Sequence, residues 1–194
     1  MWYRVVLGSF LLVMLLSTSD TCAMADEWPM PFVRLWQAAQ SGNKNEVADL
    51  LACGVCVDTK SDAGGTVLFL ASLCSQQYEE YVAISMIDYL VARGANVNLS
   101  VPGGLTPLHG AAAANRADVV KLLVGKGAKI DAKTAEGCTP LHYAAHQRAY
   151  DAVEMLICLG ASRDVRDDEG STPYHYAVQV HELAQILKPR RSLD

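Results

Sequence analysis

Apolar residues follow a helical spacing in several short segments of the chain. In the clearest one, residues 118–124, an apolar stripe that includes Leu122 and Leu123 repeats with a period of about 3.6 residues. Gly127 comes shortly afterwards, and glycine is common just beyond the end of a helix because it adopts a positive φ without strain. We therefore predict a helix that ends before Gly127 and buries both leucines.

A four-residue motif precedes this helix and recurs at a fixed distance. The motif Thr-Pro-Leu-His at residues 106–109 is read again at 139–142 and, with Tyr in place of Leu, at 172–175, so that each copy starts 33 residues after the last. Threonine is a good helix N-cap, and proline suits the first helical position, where its missing N–H costs nothing. Each copy is therefore predicted to begin a short helix.

Other positions keep the same register. A glycine stands two residues before each threonine, and a carboxylate or amide follows each predicted second helix at a constant offset, at Asp58, Asn98, Asp131 and Asp164. Such residues are typical of turns, because glycine accepts a positive φ and Asn or Asp side chains hydrogen-bond to nearby backbone. The chain is thus predicted to be built from one repeated helix-turn-helix unit.

The period and the Thr-Pro-Leu-His-x-Ala motif resemble those of the ankyrin repeat family. The resemblance implies an all-α solenoid of about five stacked helix-turn-helix units, joined by β-hairpin-like loops, within a single domain over residues 26–191. The units are assigned to residues 32–65, 66–105, 106–138, 139–171 and 172–188, and residues 189–194 form a short tail. His109, His142 and His175 are expected to bind the backbone of the adjacent hairpin and not a metal.

The second unit is seven residues longer than the period. Its extra residues fall within 75–84, a run without Gly or Pro, so we expect longer helices with a turn near residues 76–80. Tyr78 and Tyr81 lie in this run. They either cover the ends of neighbouring helices or, beside Glu79 and Glu80, form an exposed rim that binds a partner.

The N-terminal segment has a different pattern. Arg4 precedes an apolar stretch over residues 5–16, and Ala23-Met24-Ala25 matches a cleavage site for a secretory signal peptide. The stretch is too short to span a bilayer, which takes about 20 residues. We expect residues 1–25 to be removed and the mature protein, starting at Asp26, to be periplasmic or secreted without a stable membrane anchor.

Charge and composition exclude several classes of function. The formal net charge of −5 gives no basic surface for nucleic acid. No nucleophile elbow, phosphate-binding loop or His-Glu-x-x-His motif is present, so we expect neither an enzyme nor a cofactor or metal. The five cysteines beyond residue 25 include a Cys-x-x-Cys pair, Cys53 and Cys56, for which three interpretations stay open: free turn cysteines, a small structural disulfide, or redox chemistry.

The resemblance also implies where a partner would bind. In this family the variable contacts come from the hairpin tips, the residue before the threonine, and the end of the first helix. Carried over to this chain, the candidates are Ser100, Leu105, Lys133, Glu136, Cys138, His146, Gln147, Arg166 and Glu169, to which we add Tyr78 and Tyr81. Lys133, His146 and Gln147 are favoured because they lie in central units.

These features lead to one main functional hypothesis and two alternatives. The favoured one is an exported, monomeric scaffold without enzymatic activity that binds a protein through its hairpin tips and concave face. The first alternative is an immunity or inhibitor protein that blocks a toxic enzyme. The second, which depends on the Cys-x-x-Cys pair, is an accessory protein for envelope stress or redox chemistry.

Overall fold

A computed structural model of the chain describes residues 31–73, 80–178 and 181–188. Within these ranges the protein is a stack of five helix pairs, and no strand occurs there. The pairs, from first to last, are α1 (Pro31–Gln40) with α2 (Lys44–Ala52), α3 (Val67–Leu73) with α4 (Glu80–Ala92), α5 (Pro107–Ala113) with α6 (Ala117–Gly125), α7 (Pro140–His146) with α8 (Tyr150–Cys158), and α9 (Pro173–Ala177) with α10 (His181–Leu187). The all-α repeat architecture predicted from the sequence is confirmed.

The first helix of each of the last three pairs begins as the motif predicts. Thr106, Thr139 and Thr172 are the N-caps, and a proline occupies the first turn in each case. The histidine three residues after the threonine completes the cap, since Nδ1 of His109 accepts a hydrogen bond from the backbone N–H of Thr106 at 3.1 Å. This arrangement satisfies an amide that would otherwise be left open at the helix start.

Glycines end the second helices. Gly94, Gly127 and Gly160 have φ values of 94, 91 and 96°. The residue after each glycine donates its N–H back into the last helical turn, as Ala128 does to the carbonyl of Leu123 at 2.9 Å. This is a Schellman-type end, which needs a left-handed residue at the glycine position, as predicted for Gly127.

Two rows of helices enclose the core. The first helices pack side by side in the order α1, α3, α5, α7 and α9, while α4, α6 and α8 form the second row. Leu108 and Leu141 from the first row and Leu123 from the second are completely buried. Leu122, predicted to be core, is only half-buried, because it lies at the edge of the apolar stripe and packs against the core from outside.

The long second unit differs from the others in its second helix. Helix α4 has 13 residues, whereas α2, α6 and α8 have nine each. Helix α3 has seven described residues, the same number as α5 and α7, and Leu73 is the last described residue before 74–79. The prediction of a longer helix is confirmed for α4, and the predicted turn lies largely in residues 74–79, outside the described part.

Candidate protein-binding surface

The loops between successive units share one turn, which carries the hairpin tip. The first residue of the turn donates its N–H to the carbonyl four residues later, as in Val101 to Leu105 at 2.8 Å and Thr134 to Cys138 at 2.9 Å. The fourth residue is a glycine with positive φ, such as Gly137 at 75°. The loops are hairpin-like in shape, although only one isolated bridge, Lys60 with Thr66, has strand pairing among the described residues.

The tips of the second, third and fourth units stack through their backbones. Ala135 donates its N–H to the carbonyl of Gly103 at 2.9 Å, and Asp168 donates to the carbonyl of Glu136 at 3.1 Å. The approach is so close that a Cβ on Gly104 would lie 2.9 Å from the Ala135 nitrogen. Because the backbone holds the row together, most tip side chains are free to face solvent.

The periodic Asp and Asn residues link neighbouring units. Asp131 accepts a hydrogen bond from the N–H of Ser162 at 3.1 Å, and Asn98 accepts one from Lys129 at 2.8 Å. Asp58 makes the same contact to the next unit. The sequence showed their spacing, which was interpreted as local turn formation. The structure instead shows contacts between units, which a spacing of one residue type cannot reveal.

His109 and His142 have the structural role that the resemblance implied, whereas His175, in the last unit, is exposed and bonds only to Thr172 within the described residues. The Nε2 atoms of His109 and His142 lie 3.2 Å from the carbonyls of Cys138 and Ser171 in the next hairpin. Burial lowers the pKa of His109 to about 4, and burial also lowers the pKa of His142. Both rings are therefore neutral at pH 7, with Nδ1 as acceptor and Nε2–H as donor.

Most of the predicted contact residues are exposed. They comprise Ser100, Lys133, Glu136, Arg166 and Glu169 at the hairpin tips, and His146 and Gln147 at the end of α7. We call this set the tip-and-helix surface. Leu105 is half-buried beside it.

Cations and carboxylates on this surface are held differently. Lys133 donates from Nζ to the carbonyl of Arg166 at 3.3 Å, and Arg166 donates from Nη1 to the carbonyl of Gly170 at 2.6 Å. The side chains of Glu136 and Glu169 have no hydrogen bond or ion pair within the described ranges. The two basic side chains therefore already donate hydrogen bonds to the backbone, whereas the two carboxylates are available to accept hydrogen bonds.

Cys138 was predicted to contact a partner, and this is wrong. Its side chain is buried, and Sγ lies 4.0 Å from Oδ2 of Asp167, to which Tyr176 also donates a hydrogen bond at 2.7 Å. Burial, followed by the negative charge of Asp167, raises the pKa of the Cys138 thiol. The position before the threonine thus faces the next hairpin here, and the thiol is neutral and enclosed.

Asp167 itself is a buried carboxylate that the sequence analysis missed. Burial opposes its ionisation, but hydrogen bonds from Tyr176, Ser171 and Glu169 outweigh that effect and lower its pKa. Desolvation and the bond to Asp167 raise the pKa of Tyr176. The contact fixes the Tyr176 ring 5.9 Å from that of His146, at the edge of the tip-and-helix surface.

Arg116 is a second residue that sequence reasoning missed. It is buried and donates from Nη1 to the carbonyl of Ala71 at 3.1 Å, in the last turn of α3. A cation at this point is favourable, because the carbonyls at a helix C-terminus carry partial negative charge. The equivalent position in the next unit is Ala149, so periodicity gave no signal for it.

The cysteine pair has no disulfide in the structure. Cys53 and Cys56 are both exposed free thiols, and the three interpretations of the pair stay predictions. Cys53 is the C-cap of α2. Tyr78 lies outside the described residues, and the side chain of Tyr81 is not described although its backbone belongs to α4.

Across residues 31–73, 80–178 and 181–188, no three His, Cys, Asp or Glu side chains are arranged to hold a metal ion. No helix in the same ranges is both long and apolar enough to cross a bilayer.

The stacked pairs and their linking turns define a helical repeat protein. A family model described as ankyrin repeats (3 copies) matches residues 35–134, 78–167 and 130–192, which together cover most of the chain. The chain therefore belongs to the ankyrin repeat family. No curated protein matches it. Ankyrin repeats generally mediate protein–protein interaction, and the family is typically non-enzymatic.

Proposed function

We propose that this protein is an exported scaffold that binds a protein partner through the tip-and-helix surface and catalyses no reaction. The observation that carries the proposal is the stacking of the hairpin tips through backbone hydrogen bonds, such as that from Asp168 to Glu136. Side chains with no structural duty therefore lie in one row. A row of this kind, with exposed imidazole, amide and charged groups, suits recognition of an extended protein surface.

The partner-binding part of the proposal is tested with two matched sets of variants. In the first set, Glu136, His146 and Gln147 are changed to alanine. In the control set, the exposed Lys121 of α6 and Glu154 of α8 are changed to alanine. Partners are captured from the native compartment with each protein and then purified. We expect the first set to weaken binding at least tenfold, about 1.4 kcal/mol, and the control set to leave it unchanged.

Two outcomes would contradict this assignment. Equal binding by both sets of variants would place the contact elsewhere on the stack. A captured enzyme that is inhibited by the wild-type protein would favour the immunity or inhibitor function instead.

Export is a separate part of the proposal. It is supported by the signal-peptide pattern of residues 1–25, which lie outside the described part of the chain. The intact mass of the protein recovered from its native compartment tests it. We expect a mature chain that starts at Asp26, and a chain that retains residues 1–25 would refute export as a soluble protein.

A further inference from the structure

The turn between the two helices of a unit contains a residue with positive φ. This residue is Gly42 in the first unit, Asn115 in the third and Arg148 in the fourth, with φ of 72, 56 and 58°. Glycine adopts this conformation freely, and asparagine tolerates it better than most residues, but a long side chain such as that of arginine is strained there. The fourth unit therefore has an arginine where the backbone favours glycine.

Asn115 has a structural role that accounts for its presence at this position. Its Oδ1 accepts the N–H of Ala152 at 3.0 Å, and its Nδ2 donates to Oδ2 of Asp151 at 2.8 Å. Both of these residues lie in the first turn of α8, so the Asn115 side chain links the third unit to the fourth. The strain of the positive φ is offset here by contacts within the fold.

Arg148 has no such role within the described fold. Its side chain is exposed and makes no hydrogen bond or ion pair within residues 31–73, 80–178 and 181–188. The nearest carboxylate along the chain, that of Asp151, is already bound by Asn115. Because strained residues are concentrated at functional sites, a strained arginine with no internal contact indicates a contact outside the chain.

The backbone at Arg148 is fixed, and it adjoins the tip-and-helix surface. The N–H of Arg148 donates to the carbonyl of Ala145 at 3.2 Å, and its carbonyl accepts the N–H of Tyr150 at 3.1 Å. The two preceding residues, His146 and Gln147, belong to that surface, and Nε2 of Gln147 lies 3.3 Å from Nδ1 of His146. A guanidinium on an ordered turn of this kind loses less conformational entropy on binding than one on a mobile loop.

We propose that Arg148 is a specificity-determining residue, which pairs with a carboxylate on an acidic segment of the protein partner. The planar guanidinium can donate two parallel hydrogen bonds to one carboxylate, an arrangement that lysine cannot reproduce. This role rests on the proposed function, because it adds one contact to the same surface. Arg148 was not among the contacts predicted from the sequence, since its positive φ is visible only in the structure.

Peptide selection tests this pairing directly. The full chain selects binders from a phage-displayed library of random linear peptides, and the affinity of each selected peptide is measured by titration. We expect the selected peptides to be enriched in Asp and Glu. Arg148→Gly should weaken their binding about tenfold and Arg148→Lys should weaken it less. The control Lys121→Gln removes a positive charge from an exposed position of α6 and should leave binding unchanged.

Two further measurements separate recognition from a structural role. Arg148→Gly removes the strain of a positive φ, so it should raise the melting temperature while it weakens peptide binding. Peptide affinity should also fall more steeply with salt for the wild-type protein than for Arg148→Gly, because the variant lacks the ion pair. A lower melting temperature of the variant, equal affinities of the two proteins, or a selection that yields no acidic peptides would overturn the proposal.

The alanine set of Glu136, His146 and Gln147 shows which of the two proposals has failed. If this set weakens peptide binding and Arg148→Gly does not, the tip-and-helix surface stands and Arg148 has no part in it. If neither the alanine set nor Arg148→Gly weakens peptide binding, the proposed function is contradicted as well.

Discussion

Acid should destabilise the stack through His109, the most deeply buried of the motif histidines. Its Nδ1 accepts the N–H of Thr106 and its Nε2–H faces the carbonyl of Cys138, so both contacts require the neutral ring. Protonation at Nδ1 would place a hydrogen against a donor inside the core. The unfolded chain has no such restriction, and its histidine takes up a proton at the ordinary pKa.

The size of the effect follows from the two pKa values, 6.5 for the free side chain and about 4 in the folded protein. Because the unfolded state binds the proton more tightly, the stability contributed by the neutral ring is fully present above 6.5 and falls as the pH drops towards 4. The slope approaches about 1.4 kcal/mol per pH unit, so the loss at about pH 5 is about 2 kcal/mol from His109 alone. The lowered pKa of His142 adds to it with the same sign.

Urea unfolding at a series of pH values between about 7 and 5 measures this loss, since most carboxylates are still ionised there. The wild-type protein is compared with His109→Gln, which is less stable at neutral pH but has no imidazole at this position. We expect the free energy of unfolding of the variant to fall less steeply between about pH 7 and 5, by about 2 kcal/mol in total. Parallel curves for the two proteins would show that His109 titrates normally and that the argument from burial is wrong.

Three further predictions concern stability. Leu123→Ala should lower the free energy of unfolding by about 2–5 kcal/mol because it removes a fully buried side chain. The exposed control Glu136→Ala should leave the melting temperature within error, and equal shifts for the two variants would mean that the repeat register is wrong. Gly137→Ala should lower the melting temperature more than Gly170→Ala does. Both glycines have a positive φ, but only at Gly137 would a Cβ lie within 3.0 Å of the next hairpin. Equal losses of melting temperature would leave backbone strain as the sole cause. Arg148→Gly should raise the free energy of unfolding in urea by about 1 kcal/mol, because Arg148 lies on an exposed turn with φ of 58°, which glycine adopts without strain. A loss of stability would mean that the Arg148 side chain makes a stabilising contact.

The helices were predictable because their signals are local. A threonine followed by proline marks the start of α5, and an apolar stripe followed by Gly127 marks the end of α6. These signals depend on residues within one or two turns of each other, and they repeat with the period of the chain. The repeat fold could therefore be inferred before any contact between units was known.

Contacts between units were less accessible from the sequence. The exposure of Cys138 depends on where the Asp167 side chain of the next unit lies, and the sequence offered only the analogy with other family members. Arg116 reaches a carbonyl 45 residues earlier in the chain, a contact that no periodic signal marks. The tip residues, by contrast, are exposed as expected, because the turn that carries them is regular, and their contact with a partner stays a prediction.

The backbone stacking of the hairpin tips has a consequence for how the protein can change. Because the bond from Ala135 to Gly103 uses only main-chain atoms, the tip side chains between the glycines can be replaced without altering the row. Randomising Ala135, Glu136 and Glu169, while keeping Gly104 and Gly137, would therefore give a library of binding surfaces on one unchanged framework. Mutations at these positions would therefore change which partner the protein binds while leaving its fold unchanged.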